Sequence, residues 1–228
     1  MKHLSLILSL FLFVGCAAQK KAQTSVSILG DSYSTFEGYL PPGHAVWYRL
    51  QADTTRTDVT SVKQTWWQRF ISRNGCRLEV NNSYSGATIC NTGYRKEDYS
   101  DRSFITRLRH LGSPDIIFVF GGTNDSWAGV PIGEYRYVNF DKESLYTFRP
   151  AMAYMLHGLR DYYPKARVYV LLNDGLSDAV TRSIEAVCAH YEMPCIRLEG
   201  IDKKSGHPSA LGMEQICMQI EAFIKKQK

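Results

Sequence analysis

Apolar positions along this chain recur with two periods. Val26-Ser27-Ile28-Leu29-Gly30 alternates and then runs apolar up to a glycine, as a short buried strand does. Asp115–Phe120 is the clearest buried strand, and Val168–Leu172 and Cys195–Leu198 read the same way. Arg77–Asn82 has mixed polarity, which suits an edge or a short element. Between these runs the spacing becomes helical. One helix starts near Ser61–Gln64, carries Trp66, Trp67, Phe70 and Ile71, and stops at Asn74-Gly75. A second spans Asp101–Leu111 by its Phe104, Ile105, Leu108 and Leu111 spacing. A third opens at Thr147 with Pro150 in its first turn and closes before Pro164. A fourth runs from Ser177 or Asp178 to Tyr191, and a last one follows Pro208 with Met213, Ile216, Cys217, Ile220 and Phe223 on one face. Strands alternating with helices predict right-handed crossovers and a mostly parallel sheet covered on both sides. The expected architecture is one three-layer α/β/α domain over residues 25–228 with five strands and no second domain.

Composition changes this picture little. Of 228 residues 44% are hydrophobic and 21% charged, enough to build a packed core. A net charge of +5, spread evenly, gives no footing for nucleic acid. The N-terminus says more. Met1-Lys2-His3 is a short basic start, Leu4–Val14 is apolar but for Ser5 and Ser9, and Gly15-Cys16-Ala17-Ala18 follows. The run is short for a bilayer span and has the form of an export signal over residues 1–15. Phe13-Val14-Gly15-Cys16 resembles the lipobox of bacterial lipoproteins, with Phe13 in place of the usual leucine. That resemblance implies lipidation of Cys16, a polar tether over residues 16–24, and a periplasmic or surface location with only the lipid in the membrane; an ordinary signal peptide is the alternative. Cys76 with Cys90, or Cys188 with Cys195, are candidates to bridge in an oxidising compartment, against a reading of all five later cysteines as buried thiols. No Cys-x-x-Cys and no metal-like Cys/His spacing occurs, so no structural zinc is expected.

Candidate chemistry gathers at four places. Ser32 lies just past the C-terminal end of the first strand, where parallel α/β sheets hold ligands, and Gly30 is expected to let the chain turn there. The plain alternative is a strand-to-helix turn with Ser32 as a cap. Gly86, Gly122-Thr123-Asn124-Asp125 and His207-Pro208 follow in order. These blocks, from Ser27 to about Met213, resemble the SGNH/GDSL hydrolase superfamily. The resemblance implies a flavodoxin-like fold with a serine esterase site: Ser32 as nucleophile, His207 as base, and an oxyanion hole from the N–H groups of Ser32 and Gly86 and the Asn124 amide. It implies no cofactor and no metal. The family usually places an aspartate three residues before its histidine, and here that position is Lys204. Asp202 is the nearest acid; a backbone carbonyl serving a Ser-His dyad is the alternative. Asp31 is expected to hydrogen-bond its turn.

His110, His157 and His190 fall in helical patterns and read as surface or packing residues, whereas His44 sits in an aromatic-rich connection with Tyr33, Phe36, Tyr39, Trp47 and Tyr48. Trp47, Trp127 and His44 are the candidate substrate contacts, set against the reading of these aromatics as a packed cap. The function that follows is an exported serine esterase that removes acetyl or short acyl groups from a carbohydrate. A lipase or acyl-thioesterase on the same site, or a glycan-binding surface lipoprotein with weak catalysis, are the alternatives. No Gly-x-Gly-x-x-Gly after a strand, P-loop or His-Glu-x-x-His supports nucleotide or zinc-protease chemistry. The sequence does not reach the oligomeric state.

Overall fold

A computed structural model describes residues 22–227, so the expected export signal and Cys16 lie outside the described residues. Strands β1 (Ser25–Gly30), β2 (Arg77–Ser83), β3 (Ile116–Phe120), β4 (Arg167–Leu172) and β5 (Cys195–Arg197) form one sheet in the order β2-β1-β3-β4-β5. Every neighbouring pair is parallel. The period of two sorts each strand between two cores. Val26, Ile28, Phe118, Phe120, Tyr169 and Leu171 pack beneath α1 (Trp66–Arg73) and α6 (Ala210–Lys226). Leu29, Ile117, Val119, Val168, Val170 and Leu172 pack on the opposite face beneath α4 (Phe148–Tyr162) and α5 (Asp178–His190). Each fully buried side chain of this size stabilises the fold by about 1.5–3 kcal/mol. This is the three-layer α/β/α sandwich the alternation predicts.

Three local departures have physical causes. The first helix is broken at Thr65, which is extended. A short 3-10 turn, Val62–Gln64, carries a Ser61/Gln64 capping box before it, and the Thr65 hydroxyl then caps α1 by accepting from Gln68 N–H. The expected helix over Asp101–Leu111 shrinks to the single turn α2 (Phe104–Arg107). The Leu111 N–H donates to the Tyr163 hydroxyl at 3.1 Å and not to Arg107 O, which takes the His110 N–H in a tight i+3 turn, and the Asn82 amide donates to Arg107 O and His110 O beyond it. Gly30 does not have positive φ; a Cβ there would lie 2.5 Å from Ser83 Oγ and 2.8 Å from Ser34 Cβ, so glycine serves close approach of the β1 and β2 ends. A short helix, α3 (Thr123–Ala128), and a hairpin of β6 (Lys203–Lys204) and β7 (His207–Pro208) were not anticipated. The five cysteines among the described residues are unpaired thiols, and neither candidate bridge is formed.

Candidate active site

The C-terminal ends of β1, β2 and β3 converge on one edge of the sheet, as expected of the 2-1-3-4-5 order. Past β1 the chain enters a 3-10 turn, Ser32–Ser34, whose cap is Asp31: its Oδ1 accepts the Tyr33 N–H at 3.0 Å. This places Ser32 at the head of the turn, 2% exposed. His207 arrives from the far end of the chain on β7, and its Nε2 lies 3.0 Å from Ser32 Oγ. Residues 175 positions apart thus meet as nucleophile and base would.

The hairpin that delivers His207 also orients it. Lys204 and His207 are paired across β6 and β7, and the two-residue turn between them, Ser205-Gly206, has φ of 50° and 75°. Two successive left-handed residues make the tight hairpin turn that Gly at the second position favours. The turn aims the Ser205 carbonyl at His207 Nδ1, 3.1 Å away. A carbonyl only accepts, so Nδ1 carries the hydrogen and Nε2 of the neutral ring is left to accept from Ser32. Two buried tyrosines pin the hairpin: Tyr33 hydroxyl donates to Gly206 O at 2.6 Å and Tyr48 hydroxyl to Pro208 O at 2.8 Å.

Asp202 does not take part. Its carboxylate accepts from the Ser209 hydroxyl, and Ser209 caps α6, so the acid is spent on the start of that helix. Lys204 points to the neighbouring loop, its Nζ donating to Thr54 O at 2.7 Å. His207 thus has Ser32 on one ring nitrogen and a backbone carbonyl on the other, the geometry that the dyad alternative describes.

The candidate oxyanion donors lie past the ends of β1 and β2 and in the first turn of α3. Neither Ser32 N–H nor Gly86 N–H has an acceptor among the described residues. Gly86 has φ of 86°, a left-handed conformation that glycine adopts without strain. Asn124, in the first turn of α3, donates one Nδ2 hydrogen to Ala87 O at 3.0 Å, which sets it beside the Gly86 loop and leaves its second hydrogen unused. Tyr94 hydroxyl donates to Asn124 Oδ1 at 2.8 Å and so fixes which way the amide points. Asp125 holds the same loop from below, accepting from the N–H groups of Ile89 and Cys90.

Aromatic side chains enclose the base. Trp47 stacks on His207 with ring centroids 3.5 Å apart and planes 9° from parallel. Trp127 meets it edge-on at 5.8 Å and is 47% exposed, whereas His207 is 6% exposed. Burial, and to a smaller degree the nearby Arg56 charge, lower the His207 pKa to about 4 against the opposing pull of the Ser205 carbonyl. His44 is elsewhere: its Nδ1 pairs with Ser83 O at 2.9 Å and its ring tilts on Tyr84, so it supports the end of β2. Tyr33, Phe36 and Tyr48 of this connection, and Trp66 and Trp67 at the start of α1, are fully buried and pack.

Two buried charged groups sit behind Ser32: Arg107, which the sequence left unmarked, and Asp31, whose turn bond it anticipated. Arg107, 4% exposed, donates to the carbonyls of Gly30, Asn82 and Arg102 and ties the ends of β1 and β2 together. Burial lowers its pKa to about 9. Asp31 is fully buried with one oxygen unpartnered among the described residues, and burial raises its pKa to about 7, helped by Asp125 and opposed by Tyr33 N–H and Arg107. An arginine in a polar stretch and an acid in a turn carry no sequence mark of burial.

Known proteins resemble this chain in sequence and fold. The GDSL-like lipase/acylhydrolase profile matches residues 24–224. A protein from Bacteroides ovatus ATCC 8483 described as a GDSL-like lipase is 60% identical, with a TM-score of 0.89 over 90% of this chain and 100% of its own. A second so described, from Bacteroides uniformis ATCC 8492, is 54% identical, with a TM-score of 0.88 over 90% of this chain and 97% of its own. A family two carbohydrate esterase from Clostridium thermocellum, solved with cellohexaose, shares the fold at 13% identity, with a TM-score of 0.62 over 92% of this chain and 66% of its own. No curated protein matches. With the profile covering nearly the whole described domain, the chain belongs to the GDSL-like lipase/acylhydrolase family.

Proposed function

We propose that this protein is a serine esterase that releases acetyl or short acyl groups from a carbohydrate alcohol. The observation that carries the reading is the 3.0 Å contact between His207 Nε2 and Ser32 Oγ, with the tautomer set by the Ser205 carbonyl. Neutral His207 takes the Ser32 proton as Oγ attacks the ester carbonyl. The oxygen then gains negative charge and is met by the N–H groups of Ser32 and Gly86 and the free Nδ2 hydrogen of Asn124, an arrangement worth several kcal/mol. The imidazolium returns its proton to the departing alcohol, leaving Ser32 acylated. Water, activated by the same nitrogen, releases the acid and restores Ser32. No step calls on a cofactor.

A carbohydrate alcohol is favoured by the tryptophans at the base, since an exposed indole such as Trp127 offers a face to a sugar ring. Structures sharing the fold include the carbohydrate esterase above and an acetyl xylan esterase from Butyrivibrio proteoclasticus, which supports the same class. Export, and a lipid anchor on Cys16, belong to this proposal on the strength of the N-terminal sequence alone.

The test is steady-state hydrolysis of p-nitrophenyl acetate and butyrate by the purified protein and by Ser32→Ala and His207→Ala. Both variants should lose at least about a thousandfold in kcat/KM, and acetate should be preferred. Activity that survives Ser32→Ala would overturn the mechanism; preference for long acyl chains would favour a lipase. Glycan binding unchanged by Ser32→Ala, with no turnover, would favour a binding protein.

A further inference from the structure

His207 must hand its proton to the departing alcohol, so the alcohol half of the substrate lies on the His207 side of Ser32 and the acyl half toward Gly86 and Asn124. What lines that side is cationic. Trp47 is stacked on His207, and the Arg56 guanidinium lies 4.3 Å from the centroid of the Trp47 ring. A cavity of about 110 Å³ opens there, bounded by Trp47, Arg49, Gln51, Asp53 and Arg56. Arg49 and Arg56 are exposed and enter no ion pair among the described residues, although eleven such pairs occur elsewhere on the surface. Lys204, opposite His207 on the hairpin, brings a third cation to the same loop at Thr54. The one carboxylate lining the cavity is Asp53, and its Oδ1 is already engaged by the N–H and hydroxyl of Thr55. Two arginines in the cavity wall, with Lys204 on the adjoining loop, face one carboxylate whose Oδ1 is engaged, and Arg56 lies a single indole ring away from the proton donor; together they make a receptor for an anion carried by the leaving alcohol.

We propose that the alcohol half of the substrate is a sugar acid, whose carboxylate is received by Arg56 with Arg49 while its acylated hydroxyl faces His207. The proposal rests on the esterase reading of Ser32 and His207. A guanidinium suits the task because its planar fork can engage both oxygens of a carboxylate. A neutral sugar would leave both arginines solvated and gain nothing from them, so the discrimination resides in binding and falls on KM more than on kcat.

The experiment compares O-acetylated methyl galacturonoside and methyl glucuronoside with the matching galactoside and glucoside, which lack only the carboxylate. The kcat/KM ratio of acid to neutral ester should favour the acid by roughly tenfold or more, the scale of a charged hydrogen bond. It should fall toward one in Arg56→Gln, be partly kept in Arg56→Lys, and narrow as salt is raised. A wild-type ratio at or below one, or a preference that survives the Arg49→Gln/Arg56→Gln double variant, overturns the subsite. If p-nitrophenyl acetate is cleaved in a Ser32-dependent manner and neither acidic ester is, the subsite falls and the esterase stands. If p-nitrophenyl acetate hydrolysis is indifferent to Ser32, both fall together.

Discussion

At the scale of single residues, His207 decides the pH behaviour. Its ring is enclosed by Trp47 and Trp127 and its Nδ1 faces a neutral carbonyl, so nothing anionic favours the imidazolium. With its pKa lowered to about 4, the base is neutral over nearly the whole useful range. The acid limb of kcat/KM for p-nitrophenyl acetate should therefore fall near pH 4 and not near the ordinary histidine value of 6.5. Trp47→Ala admits water to the ring, and the limb should move up toward 6.5 while the plateau rate drops. A limb that stays in place would mean that Trp47 does not set the desolvation. Asp202→Ala gives the complementary result. Its carboxylate serves Ser209 at the cap of α6, so kcat/KM should change less than about threefold while the protein loses about 0.5–2 kcal/mol of stability. A loss of activity of a hundredfold or more would restore Asp202 to the catalytic unit. Ser32, Asn124 and His207 were legible because motif residues sit at strand ends that topology must bring together. The fate of Asp202 was not, because it depends on a turn at Ser205-Gly206 that folds back within four residues.

At the scale of elements, the proposed oxyanion hole is a question of how two strand ends are held. Ser32 N–H follows β1 and Gly86 N–H follows β2, and Arg107 bonds the carbonyls of Gly30 and Asn82, one from each strand end. Its own short helix is anchored through the third bond, to Arg102 O at 2.8 Å. Arg107→Met keeps much of the volume but removes the guanidinium donor from these carbonyls, Gly30 O keeping the Tyr84 N–H, at a cost of about 1–3 kcal/mol for a buried carbonyl left unpaired. The expected outcome is a lower melting temperature together with a fall in kcat of roughly tenfold and little change in KM, since the donors it positions act on charge that develops in the transition state. Equal loss in kcat for Arg107→Lys, with stability regained, would assign the effect to geometry; unchanged kcat in a destabilised Arg107→Met would reduce Arg107 to a structural clip. The strands and long helices were legible by period. The expected helix over Asp101–Leu111 is too long because its pattern, Phe104, Ile105, Leu108 and Leu111, is buried as foreseen while the Leu111 N–H goes to the Tyr163 hydroxyl and the chain closes on a tight His110-to-Arg107 turn.

At the scale of the whole molecule, Asp31, Asp125 and His207 make stability depend on pH in opposing senses across the range from acid to neutral. Asp31 is raised from 3.8 to about 7 and Asp125 from 3.8 to about 6, both chiefly by burial. For each, the folded state holds a proton that the unfolded chain has released, so stability falls as pH rises from about 4 through the folded pKa. His207 is lowered from 6.5 to about 4, the unfolded chain binds the extra proton, and stability rises with pH over that interval. Carboxylates held below their usual range, such as Asp115 by Ser25 and Glu79 by Ser113 N–H, add stability that is already complete above about pH 5. Between pH 5 and 7.5 the two raised acids outweigh His207 and His44, whose pKa burial also lowers, so the wild-type melting temperature should be higher at pH 5 than at pH 7.5. Asp31→Asn preserves the acceptor for Tyr33 N–H and removes the larger of the two acid contributions. Asp125 and His207 then nearly offset each other, and the difference between the two melting temperatures should shrink to within a few degrees, the scale of a residual ~1 kcal/mol. Thermal melts of both proteins at the two pH values decide it. A wild type that melts higher at pH 7.5 would mean that the Arg107 charge holds Asp31 ionised beside the nucleophile throughout, and the buried pair would then act as a fixed dipole beneath the oxyanion hole.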